Sequence, residues 1–134
     1  LKKIPQNALV IVADGRKAIA FRLEGTGDAI SLKEQQRLSP KHLSDDGPSG
    51  SRPEEQTLRQ TDEATFAKQL AKAIEGMKHA HEFDSLVLVA DPQTLGQLRN
   101  VMHKDVRDSI VLTIAKDLTN HPAHEIADVI GRST

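Results

Sequence analysis

The residues best placed to do chemistry in this chain are Asp14, Asp91 and Asp117, each at or just beyond the end of an apolar run of strand length. Three carboxylates at the ends of three parallel strands could hold a magnesium ion for phosphoester hydrolysis, because that ion takes oxygen ligands and keeps several of its waters. Each aspartate also has a local reading: Asp14 as a turn residue, Asp91 as a helix cap ahead of Pro92, and Asp117 as a turn former after a strand. The local readings are favoured, so no metal site is expected, and a metal-dependent phosphoester hydrolase stands as the alternative.

The other chemistry-bearing groups are weaker. His121 and His124 lie three apart beside Pro122 and Glu125, a spacing that puts two imidazoles on one helical face. No third ligand accompanies them, which favours a surface pair. His79 and His81 are two apart at a helix end and read as partners of the helix dipole. Arg99, His103, Lys104 and Arg107 could touch phosphates, but Asp105 and Asp108 interrupt the cluster and favour a solvated face. Gly47 and Gly50 lack the strand-to-helix context of a phosphate-binding loop, and Ser49 and Ser51 have no assignable base. No catalytic residue, cofactor or obligate small-molecule ligand is therefore expected.

Bulk composition narrows the classes further. A chain of 134 residues suits one domain spanning 1–134, burying roughly two thirds of its unfolded surface. The formal net charge is −1, so no global field draws the chain to nucleic acid or an anionic membrane, and such a partner must use a local patch. Cysteine is absent, which excludes disulfides, thiolate zinc sites and cysteine nucleophiles. With no Trp or Tyr and three Phe, a surface of several stacking platforms for single-stranded nucleic acid is implausible. The apolar run Ala8 to Ala13 is too short for a membrane span or a signal-peptide core, so the chain reads as cytoplasmic, with no membrane partner.

The elements that must position these residues follow from periodicity. Ala8 to Ala13 is a continuous apolar run, as expected of a central strand buried on both faces, and it ends at Asp14-Gly15, a hairpin signal because both positions tolerate positive φ. Lys17 to Glu24 alternates as an antiparallel partner, and Ala29 to Leu38 gives a third strand whose Lys33, Glu34, Gln35, Gln36 and Arg37 suit an exposed edge. Phe66, Leu70, Ile74 and Met77 set a helix over Asp62 to Ala80. Ser85 to Ala90 is a second buried-type strand. Asp91-Pro92 opens a helix through Leu95, Leu98, Val101 and Met102, with His103 to Asp108 as an irregular extension. Ile110 to Ala115 is a third buried-type strand, and Pro122 starts a helix facing inward through Ala123, Ile126 and Ile130. Right-handed crossovers then predict an α/β fold with a mixed five-stranded sheet ordered 3-2-1-4-5, strand 2 antiparallel, so that Asp14, Asp91 and Asp117 share one edge.

Between strand 3 and the first helix, the stretch 39–61 has no periodicity. It carries Pro40, Gly47, Pro48, Gly50 and Pro53, six Ser or Thr, and almost no large apolar residue. Such a stretch cannot bury enough surface to offset the entropy of ordering it, and a long, mobile surface loop is expected.

Several pieces together resemble the bacterial host attachment protein family, also described as proteins required for attachment to host cells. They are Val12-Ala-Asp-Gly15 with Ala18 and Phe21, then Leu86-Val-Leu-Val-Ala90 with Pro92, Thr94-Leu-Gly96 and Leu98-Arg99, and finally Lys116-Asp-Leu-Thr119 with Pro122, Glu125 and Ile126. That family looks like a bacterial branch of the middle domain of archaeo-eukaryotic peptide-chain release factors. The resemblance implies a three-layer ribonuclease-H-like fold with helices on both faces of the sheet and a long loop after strand 3. In the release factors that loop carries a Gly-Gly-Gln. Here it offers Gly47, Gly50 and Gln56 without that tripeptide, so the implied function is a non-catalytic, translation-factor-like module, influencing attachment to host cells indirectly. Its expected partner is the ribosome or structured RNA, met through the loop with Lys41, Arg52 and Arg59 and with a secondary contribution from Arg99, Lys104 and Arg107.

Overall fold

The computed structural model describes residues 4–5, 7–25, 30–39 and 63–133. The elements run β1 (Leu9–Ala13), β2 (Ala18–Glu24), β3 (Ser31–Leu38), α1 (Glu63–His79), β4 (Leu86–Ala90), α2 (Pro92–Val101), α3 (Lys104–Asp108), β5 (Ile110–Ala115) and α4 (Ala123–Arg132). The strands form one five-stranded sheet in the order β3-β2-β1-β4-β5, as the sequence predicts. β2 is antiparallel to β1 and to β3, while β1, β4 and β5 pair in parallel.

The apolar runs explain the centre of this sheet. Every residue of β1 and β4 is buried, because successive side chains leave opposite faces and both faces are covered. On one face Leu9, Ile11, Leu86 and Leu88 pack with Phe66, Leu70 and Ile74 of α1, Leu95 and Leu98 of α2, and Val106 of α3. On the other, Val10, Val12, Val87 and Val89 pack with Leu118 and with Ile126 and Ile130 of α4. The result is three layers, helices on both sides of the sheet. None of the described helices is long and apolar enough to cross a membrane.

Four expectations need correction. The β1–β2 connection is not a tight turn at positive φ: it spans Asp14 to Lys17, and among the described residues positive φ occurs only at Asn7, Gly25 and His81. The Asp14 side chain closes it instead, accepting from the Arg16 and Lys17 amides at 2.7 and 2.9 Å, which an aspartate at the head of a turn does without αL geometry. β5 is half-buried rather than core, with only Ile114 buried, because as the last strand it has, among the described residues, a strand neighbour on one side only. His103 to Asp108 is a separate short helix, capped by His103, whose Nδ1 accepts from the Asp105 amide at 3.2 Å. His81, read as a dipole partner, holds φ 60° just past α1, where Glu82 N–H bonds the Met77 carbonyl and His81 N–H that of Lys78, so its backbone terminates the helix.

Candidate functional site

The register places a single lateral row across the carboxyl edge of the sheet. Leu38 pairs with Ala18, Ala18 with Ala13, Ala13 with Ala90 and Ala90 with Ala115. One residue beyond that row stand Ser39, Asp14, Asp91 and Lys116, with Asp117 next. The departure point of the 39–61 stretch and all three aspartates therefore share one edge. Lys41, Gly47, Gly50, Arg52, Gln56 and Arg59 themselves lie outside the described residues.

Each aspartate is engaged by its own neighbourhood. Asp91 caps α2: one carboxylate oxygen accepts from the Thr94 amide at 3.1 Å and the other from the Thr94 hydroxyl at 2.7 Å. Asp117 accepts on one oxygen from both the amide and the hydroxyl of Thr119, at 3.1 and 2.7 Å. The same hydroxyl lies 3.0 Å from the Asp14 oxygen that the turn leaves free. A hydroxyl has one proton, so Thr119 donates it to two carboxylates in turn and ties the segment after β5 to the end of β1. Lys17 adds a second tie, its ammonium donating to Asn120 Oδ1 at 3.0 Å. The polar contacts that hold this edge thus join residues more than a hundred positions apart. Among the described residues no three His, Asp or Glu side chains converge as metal ligands do.

The remaining candidates scatter. The His121 ring pairs with Glu125 at 2.9 Å, one turn along the chain, and His124 is exposed and takes no part in that pair. His79 and His103 meet edge to face, centroids 6.4 Å apart. Lys104 pairs with Asp108 at 3.1 Å, whereas Arg99 and Arg107 line a groove beside β5. Thr94 and Thr119 carry the edge's geometry, yet sequence reasoning met them only as letters of matching pieces. The D-x-x-T and D-x-T spacings that make them cap and turn partners were legible, but no local signal links Thr119 to Asp14.

Residues 7–130 match a family described as Bacterial archaeo-eukaryotic release factor family 12. No curated protein matches the sequence. Among solved structures, the chain is similar to an archaeal translation termination factor, aRF1, with a TM-score of 0.51 at 10% identity, covering 95% of this chain and 34% of that one. A second likeness, to a structure described as an archaeal protein, has a TM-score of 0.48 at 10% identity and covers 94% of this chain and 35% of the other. The chain thus spans about a third of the length of the termination factor whose fold it shares. These findings carry the release-factor side of the resemblance and nothing on attachment to host cells.

Proposed function

The chain belongs to bacterial archaeo-eukaryotic release factor family 12, and from that membership we propose that it is a non-catalytic, translation-factor-like module, acting as one domain and associating with the ribosome or structured RNA through residues 39–61. The observation that carries this reading is the lateral row at the carboxyl edge. It sets the root of that stretch, Ser39, on the same line as Asp14, Asp91 and Lys116, with the edge held by the Thr119 and Lys17 ties. A rigid rim is what a recognition loop needs at its base. The aspartates serve the rim, since their oxygens cap α2 and close two turns.

With a net charge of −1, affinity for RNA comes from Lys41, Arg52 and Arg59 within the stretch rather than from the whole molecule. Gly47 and Gly50, near its middle, leave room for close backbone approach, and Gln56 supplies an amide further along. Attachment to host cells is affected downstream, through what is translated. Titration of fluorescently labelled chain with purified ribosomes at several salt concentrations tests the proposal. The intact chain is expected to bind with a salt slope that drops by about two to three when Lys41, Arg52 and Arg59 are all replaced by alanine. An unchanged slope, or no binding by the intact chain at low salt, would overturn it.

A further inference from the structure

The two outer strands of the sheet are finished differently. β3 is blunted as edge strands in monomeric proteins are: it presents Lys33, Glu34, Gln36 and Arg37 to solvent, and a bulge at Gln35 breaks its register with β2. β5, Ile-Val-Leu-Thr-Ile-Ala, has no charge and no proline. Its one irregularity falls at Val111, and from Leu112 to Ala115 it runs in unbroken register with β4. No other strand pairs with it among the described residues, so alternate N–H and C=O groups of a regular strand point outward.

A groove runs along this open edge, lined by Ile110, Val111, Leu112 and Thr113 together with Arg99 from the last turn of α2 and Arg107 from α3. The four strand residues are only half-buried. Neither guanidinium makes a hydrogen bond or ion pair among the described residues, although Arg37 and Lys104 elsewhere on the surface are paired with carboxylates. The groove therefore combines outward main-chain groups, an apolar floor and two unengaged cations, with no acidic side chain in its lining.

We infer that the β5 edge is a strand-addition site for an extended peptide segment carrying acidic side chains, which would become the sixth strand of the sheet with its carboxylates on Arg99 and Arg107. Main-chain pairing supplies the affinity in this mode of recognition, and alternate side chains supply the selectivity. The charges choose the occupant. A second copy of the chain pairing β5 to β5 would gather four arginines along one seam, which like-charge repulsion opposes. An RNA strand would leave the ladder groups of β5 unpaired and find no Trp or Tyr to stack on.

The test uses a synthetic octapeptide of alternating glutamate and valine, added to isotope-labelled full chain while amide shifts are followed. Saturable shifts are expected at the amides of residues 110–115. A peptide with proline at its centre cannot complete the ladder, and one with lysine for glutamate faces the arginines; both are expected to bind about tenfold more weakly or worse. The double variant Arg99→Ala, Arg107→Ala, both positions being exposed, should keep a folded spectrum and lose about tenfold in affinity. Failure of the octapeptide to shift β5 at millimolar concentration would overturn the inference. So would equal binding of the lysine peptide, tighter binding of a hexauridylate at the same amides, or a concentration-dependent dimer that closes the edge.

Discussion

The contrast between β3 and β5 is a contrast between two ways of ending one sheet. Each carries one register shift, but β3 repels a further strand with charge, whereas β5 offers an apolar, uncharged strand flanked by unengaged arginines. Among the described residues both strands have a single neighbour, so both leave the same kind of backbone groups without a ladder partner there. The difference lies entirely in side chains, and it teaches that exposure alone does not mark a docking edge. On β3 the Arg37 guanidinium is held above its usual pKa first by its hydrogen bond to Glu34 and then by that carboxylate's charge. Among the described residues the β5 cations have no such partner.

The largest test of the contrast compares the sheet's centre with its open edge. Leu88→Ala, in a fully buried strand, is expected to cost about 3 kcal/mol or more, against about 1 kcal/mol for Leu112→Ala at the half-buried edge, by denaturant unfolding. Equal costs would mean that β5 is covered more completely than its open side suggests. Next comes the tie that fastens the β5 side of the molecule to β1. Thr119→Val removes the proton shared by Asp14 and Asp117 and is expected to lower stability by about 2 kcal/mol, with Thr119→Ser restoring most of it. A smaller effect on stability, within about 0.5 kcal/mol, is expected of Thr113→Glu. That change gives β5 a carboxylate of the kind β3 carries at Glu34, sets it against the glutamates of the acidic octapeptide, and should abolish binding of that peptide. Smallest is Glu34→Ala, which frees the solvent-exposed Arg37 and is expected to leave the unfolding midpoint in place.

How far the sequence carried this picture depends on the kind of interaction involved. The strand order was legible because β1 and β4 are apolar at every position and the short connections admit few crossovers. The half-burial of β5 was not, since Ile110 to Ala115 has the composition of a core strand and its exposure follows from its place in the order. Asp91 was readable as a cap from Pro92 beside it. The hydroxyl bridge from Thr119 to Asp14 joins residues 105 apart and leaves no periodic trace. The groove at Arg99 and Arg107 was hidden for a related reason: in sequence these residues are interleaved with Asp105 and Asp108, whereas in the fold they stand together without them.

Cosedimentation with ribosomes at moderate salt tests the central claim most directly, using three chains. These are the intact protein, a variant with Ser44 to Glu55 replaced by a short Gly-Ser linker, and the double variant Arg99→Ala, Arg107→Ala. The carboxyl-edge stretch is the proposed ribosome contact, and the β5 groove, whose Arg99 and Arg107 the sequence offered as a secondary RNA contact, is proposed as a separate peptide site. Accordingly, the intact chain and the arginine variant are expected to pellet alike, and the linker variant, folded by its amide spectrum, to stay in the supernatant. Pelleting of the linker variant to the same extent as the intact chain would contradict the account, as would a failure of all three to pellet.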